Sequence, residues 1–259
     1  MYNLTMANSN SWKKIFSDYR ILEHDFNKSP FQISAAQIKK SCQNFKVTSQ
    51  KEVRILCKQD CRHDRPVIFQ ENNLFLLPVK NGFYNIIKGE GYVDIPVIEE
   101  KIINYSSKLN FPLETALVGS SEMQHLDYAY AASLIRTFTE DPSLVLTIRG
   151  RKYTPKFDFF VGTQRISVSS VQTEVDAGYE GANQVVLIEA KNFNASDVII
   201  RQLYYPFRQW QSRTNKKVIT LFFDKESNGN IYSIWQFEFE NPENYNSIKL
   251  VKSGRYQIV

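Results

Sequence analysis

Two carboxylates and one ammonium lie close together in the stretch Glu174 to Lys191, which reads EVDAGYEGANQVVLIEAK. Asp176 falls at the end of one strand-like run. Thirteen residues later an apolar run finishes with Glu189, Ala190 and Lys191. Strand side chains alternate, so Glu189 and Lys191 share a face. Such a set can hold a hard divalent cation and position a water molecule for phosphodiester hydrolysis.

E-x-K alone is a common solvated pair, and its context gives it weight. VVLI before Glu189 is apolar on both faces, as in a central strand. Ligands bind near the ends of central strands in α/β sheets. Ala177-Gly178 and Gly181 let the chain reverse between the two runs. Asp158, in PKFDFF, is the rival first acid. Asp176 is preferred because its segment immediately precedes the E-x-K strand.

These residues resemble the D…E-x-K signature of the PD-(D/E)xK nucleases, especially type II restriction endonucleases. The resemblance covers roughly residues 115 to 240, with Val175 standing where the pattern has Pro. It implies that Asp176 and Glu189 ligate Mg2+, with the Ala190 carbonyl completing the protein ligands, and that Lys191 orients the attacking water. Gln202, on the following helix, sits where many relatives carry a Gln or Lys facing the site. A solvated helix Gln is the alternative. Glu122 reads first as a capping-turn residue. Glu174 shares a strand face with Asp176. The implied enzyme is a sequence-specific, Mg2+-dependent endonuclease acting on double-stranded DNA as a homodimer. The alternatives are a DNA-binding protein with a nuclease-like core, and a nuclease of repair, recombination or mobile-element processing. Recognition sequence and cleavage position rest on side chains at base edges, which no motif specifies.

Composition permits this without requiring it. The 259 residues carry 32 Lys and Arg against 27 Asp and Glu, a net charge of +5 that suits a polyanionic partner. No apolar run approaches a membrane span, and MYNLTMANSNSWKKIF lacks the pattern of a secretory signal, so a cytoplasmic setting is expected. Three cysteines argue against a disulfide framework. Cys57, Cys61 and His63, with Cys42 upstream, form a C-x3-C-x-H cluster that reads either as a zinc site or as reduced thiols beside a surface His. No P-loop, G-x-S-x-G or H-E-x-x-H motif is present, and three His residues leave little material for a triad.

The elements that must position the acids follow from periodicity. Residues 12–26 carry a helical apolar stripe, and Ser34 caps a second helix. EVRILC (52–57), Val67–Phe69, Leu74–Val79, Phe83–Ile87 and Tyr92–Ile95 read as strands, with a hairpin turn at Asn81-Gly82. This helix-plus-hairpin module, residues 1–110, reads as a winged-helix-like DNA reader or a β-rich subdomain. Residues 111–259 form the catalytic part. Ser120-Ser121-Glu122 opens a helix that ends before Asp141-Pro142. Leu144–Ile148, Phe157–Val161 and Ile166–Val171, extending to Val175, form a meander. Val185–Ala190 and Val218–Phe223 flank a helix capped at Ser196, kinked at Pro206 and carrying Leu203 and Phe207. That order suits a parallel crossover. Tyr232–Phe239 alternates like an outer strand. The expected fold is α/β (α+β): a mixed central sheet flanked by helices, with a restriction-endonuclease-like core. Arg149, Arg151, Lys152, Arg201, Arg208, Arg213, Lys216 and Lys217 are candidate phosphate contacts. Tyr204 and Tyr205 read as packing residues.

Overall fold

A computed structural model describes residues 2–192, 195–227 and 229–259. The chain is α+β, with a large mixed sheet flanked by helices. Among the described residues no helix is long and apolar enough to cross a membrane.

The N-terminal part runs α1 (Tyr2–Asp18), β1 (Phe31–Ser34), α2 (Ala35–Cys42), α3 (Thr48–Lys51), α4 (Val53–Leu56), α5 (Val67–Glu71), β2 (Leu74–Lys80) and β3 (Phe83–Lys88). Strands β1, β3 and β2 make a three-stranded antiparallel sheet. Ser34 caps α2 through a full capping box: its Oγ accepts from the Gln37 amide at 3.2 Å, and Gln37 Oε1 accepts from the Ser34 amide at 2.9 Å. Gly82 supplies the positive φ of 75° that the Asn81-Gly82 turn needs. Trp12, Phe16 and Phe69 meet edge-to-face in the core of this part.

Three expectations fail here. α1 stops at Asp18 because Arg20 adopts a left-handed φ of 50°, and Leu22, counted in the stripe, is 54% exposed. EVRILC is helical, not a strand: Val53, Leu56 and Cys57 are its packed residues, and that i, i+3, i+4 spacing is the helical one. Val67–Phe69 lies in α5, entered through Pro66, whose fixed φ suits a helix start.

The remainder contains β4 (Tyr92–Asp94), β5 (Ile103–Tyr105), α6 (Glu122–Ala131), α7 (Leu134–Phe138), β6 (Val145–Tyr153), β7 (Phe157–Val161), β8 (Gln164–Val168), β9 (Gln172–Glu180), β10 (Gln184–Asn192), β11 (Asp197–Ile199), α8 (Ile200–Gln211), β12 (Lys217–Lys225), β13 (Ile231–Phe239) and β14 (Ile248–Ile258). The seven-stranded sheet has the order β5-β14-β13-β12-β10-β9-β6. β10 and β12 are parallel, joined through α8 as the apolar runs predicted. The run at Tyr232–Phe239 is an interior strand rather than an outer one, because β14, unanticipated, pairs along it. β8 ends at Val168, and Ser170 turns the chain with φ 55°, so β9 is a separate strand in another sheet. Ser196 does not cap α8: residues 197–199 pair with β4 instead, and the helix begins at Ile200.

The central strand is buried on both sides. Val185 and Leu187 pack in one core with Leu203 and Tyr204 of α8. Val186, Ile188 and Ala190 pack in the other with Leu126 of α6 and Ile135 of α7. The odd-numbered positions of β10 therefore face α8, and this places Glu189 and Lys191 on that side.

Candidate active site

The sheet delivers Glu189 and Lys191 to the end of β10, one strand away from Asp176. Pairing of β9 with β10 ends at Ala177 opposite Ile188. Beyond that point the strands part, and the amide of Ala190 donates to Asp176 Oδ2 at 2.8 Å. A strand residue sends its N–H and C=O to the same side. The Ala190 carbonyl therefore faces the same gap, beside the Asp176 carboxylate.

Asp176 is aimed there by an irregularity in its strand. Ile148 pairs with Gly178 and Gly150 with Val175, so two steps on β6 span three on β9. The extra residue is a bulge. Its effect is visible in the packing: Val175 lies in the α8-side core and Ala177 in the α6-side core, although two-residue spacing would put them together. Asp176 occupies the crossing point.

Glu189 is 8% exposed and shares Oε1 between two donors. Lys191 Nζ donates at 2.5 Å and Gln202 Nε2 at 2.6 Å. Gln202 Oε1 is buried with no hydrogen-bond partner among the described residues. The residues line a cavity of about 420 Å³ that also includes Glu122, Glu174, Lys58, Asp60 and Arg201.

Burial dominates the electrostatics. It pushes the Glu189 carboxyl up to about 7, against the opposing charge of Lys191. Burial also raises Asp176, opposed by the Ala190 amide and Lys191, and it raises Glu122. For Lys191 burial acts downward, but the carboxylates of Glu189, Asp60 and Glu122 outweigh it and hold the ammonium above its ordinary range. Lys191 thus stays charged, and Glu189 is the member of the pair that titrates near neutrality.

Of the sequence-derived set, Asp176, Glu189, Lys191 and Gln202 converge in this cavity, while Ala190 is buried in the α6-side core and meets the set through its amide on Asp176. Asp158 does not join it. Asp158 sits on the β7–β8 hairpin, with Arg165 Nη2 at 2.5 Å and Ser167 Oγ at 2.6 Å on its carboxylate. Glu174 lines the cavity and takes an ion pair from Arg151 at 3.2 Å. Glu122 lines it as the first residue of α6, whose cap is Ser121.

Lys58, Asp60 and Arg201 complete the charged part of the lining. Asp60 Oδ1 lies 3.6 Å from Arg201, its Oδ2 lies 3.6 Å from Lys58, and its main-chain oxygen accepts from the Ile199 amide at 2.8 Å. No spacing rule links Asp60 to Glu189, since more than a hundred residues separate them. Arg201 was visible in the sequence only as one charge among several on its helix.

Most of the other basic candidates are engaged internally. Arg149 pairs with Asp127, Lys216 with Glu180 and Lys217 with Glu238. Arg208 donates to the carbonyl of Pro242 at 2.6 Å, and Arg213 lies over the Trp210 ring. Tyr204 and Tyr205 are buried, with their hydroxyls on the carbonyls of Pro242 and Pro78.

The donor set suits a hard cation. The oxygens the cavity offers include the desolvated carboxylates of Asp176 and Glu189 and the Gln202 Oε1. Among the described residues no three His, Cys, Asp or Glu side chains are arranged to hold a metal. The Cys57, Cys61 and His63 cluster likewise forms no such group. Cys42 is buried, and burial pushes Cys57 up to about 12 and Cys61 up to about 11, so these are protonated thiols.

Comparison with known proteins gives two matches. Residues 9–86 match a model described as a domain of unknown function, DUF6996. Residues 87–257 match a second, described as a domain of unknown function, DUF6997. The chain belongs to the DUF6997 family. No curated protein and no solved structure matches it. The DUF6997 segment supplies Glu122, Asp176, Glu189, Lys191, Arg201 and Gln202, while Lys58 and Asp60 come from the segment matched by DUF6996. The cavity is thus built by both segments.

Proposed function

We propose that this DUF6997 protein is a Mg2+-dependent endonuclease that hydrolyses DNA phosphodiester bonds, and that it works as a type II restriction enzyme in the cytoplasm, as a homodimer on double-stranded DNA. The observation that carries the reading is the convergence of Asp176, Glu189, Lys191 and Gln202 at the diverging ends of β9 and β10. A mixed sheet with a parallel crossover through α8 supports a restriction-endonuclease-like core.

Asp176, Glu189 and the Ala190 carbonyl would hold the cation. A bound Mg2+ supplies Lewis acidity at the scissile phosphate and lowers the pKa of an attacking water. Gln202 holds one oxygen of Glu189 and thereby fixes the orientation of that carboxylate. Lys191 presents a permanent positive charge beside Glu189, where it can orient a water and stabilise negative charge developing on the phosphate. The Ala190 amide fixes Asp176.

The test is incubation of the purified protein with plasmid and with long phage-type DNA, in Mg2+ and in chelator. Discrete fragments formed only with Mg2+ support restriction, and random degradation favours the repair or recombination reading. Absence of cleavage on modified and unmodified DNA favours the DNA-binding protein. Full cleavage by Lys191→Ala overturns the site assignment.

A further inference from the structure

The catalytic cavity opens into a second one of about 490 Å³, and the two share Lys58, Asp60, Gln172 and Arg201. The second cavity lies between α4, the β2–β3 turn and the start of α8. Its charge is opposite to that of the first. The catalytic cavity carries the carboxylates of Asp60, Glu122, Glu174, Asp176 and Glu189 against Lys58, Lys191 and Arg201. The second carries Arg54, Lys58, Lys80 and Arg201 against Asp60 alone.

Arg54 and Lys80 are exposed, and neither has a carboxylate partner among the described residues. Lys58 lies 3.6 Å from Asp60, its one ion pair among the described residues, and its side chain is 72% exposed. The surface between them is low: Ala35 and Gly82 line it, and the Ala35 amide donates to the Gly82 carbonyl at 2.8 Å, which ties α2 to the hairpin turn. Three under-neutralised cations therefore surround a shallow groove that leads out of an acidic site.

We propose that this groove carries the phosphodiester backbone of the nucleic-acid strand adjoining the scissile bond, with Arg54, Lys58 and Lys80 on successive phosphates. The proposal rests on the nuclease reading. An acidic site repels a polyanion wherever a cation does not offset it, so the backbone needs a neutralising surface immediately beside the site. Each lysine or arginine that neutralises a phosphate releases counterions, which makes the contact readable through salt.

The experiment measures binding of the full chain, in chelator, to a fluorescent 30-mer as DNA duplex, single-stranded DNA and RNA duplex, across a range of salt. The triple variant Arg54→Ala, Lys58→Ala, Lys80→Ala is expected to lower the slope of log K against log salt by about 2 to 3. The charge-keeping set Arg54→Lys, Lys58→Arg, Lys80→Arg is expected to restore it. A control set at exposed positions outside the groove, Lys13→Ala, Lys46→Ala and Lys249→Ala, is expected to leave it nearly unchanged. A loss on any of the three probes supports the groove as a backbone path and states which polymer it takes. An unchanged slope on all three, or an equal loss in the control set, overturns it, as does tighter binding of polyglutamate than of any nucleic acid. Plasmid cleavage in Mg2+ by the same variants separates the two readings. Wild-type-like cleavage with an unchanged slope removes the groove and leaves the nuclease. A wild-type protein that neither binds nor cleaves any of them removes both.

Discussion

The amide of Ala190 donates to the carboxylate of Asp176 at 2.8 Å, just where β9 ceases to pair with β10. A side chain takes over an amide that the sheet ladder no longer reaches. The bond has two consequences. It satisfies a buried main-chain donor, and it locks the first acid beside the strand that carries the second acid and the lysine.

Removal of the charged groups should separate rate from stability. Asp176→Asn, Glu189→Gln and Lys191→Ala are each expected to lower plasmid cleavage by about 10²- to 10³-fold or more. Circular dichroism spectra should remain those of the folded protein, because the sheet cores do not include these side chains. A loss of signal matching the loss of cleavage would assign them to folding instead.

Titration of Glu189 should govern metal affinity. Its carboxyl is raised from 4.5 to about 7, so the folded state keeps a proton that the unfolded chain has released. In chelator this group makes the fold less stable as pH rises from about 4.5 to about 7. A cation must displace that proton, so Mg2+ affinity should fall about fivefold between pH 7 and pH 6 and level off above neutrality. Calorimetric titration at several pH values checks this, and Glu189→Gln should abolish the dependence.

Gln202→Ala removes the donor that orients Glu189. A loss of about 10- to 100-fold in Mg2+ affinity or cleavage is expected, with partial rescue at high Mg2+. Wild-type behaviour would return Gln202 to the status of an ordinary helix residue.

Asp158 and Asp176 are told apart by one comparison. Asp158 is held outside the cavity by Arg165 and Ser167. Asp158→Ala should therefore leave cleavage within about twofold of wild type, as for a surface pair. If it matched the loss in Asp176→Asn, the choice of first acid would reverse.

The bulge that aims Asp176 depends on close approach of two strands. A Cβ on Gly178 would lie 2.7 Å from Ile148 Cβ. Gly178→Val is expected to destabilise by about 1–3 kcal/mol and to reduce cleavage as well, because β9 must shift. Thermal melting and plasmid cleavage on the same preparation check both effects.

Periodicity reached far in the C-terminal part. The apolar run before Glu189, the crossover helix and the next run specified a parallel pair, because burial on both faces leaves no other use for such runs. The short segments 52–57 and 67–69 misled, since so few residues fit either period until their packing is known. β14 was missed because its apolar residues are few and its pairing partner decides its state.

The sequence by itself determined where the reactive residue types lie: two acids, a lysine and an amide on two consecutive strands and the helix that follows. Only the tertiary structure decided how they meet. The bulge in β9 turned Asp176 toward the cavity, burial raised Glu189, and Lys58 and Asp60 arrived from a distant segment. Each of those depends on which surfaces pack against which, and long-range packing leaves no periodic trace in the chain it joins.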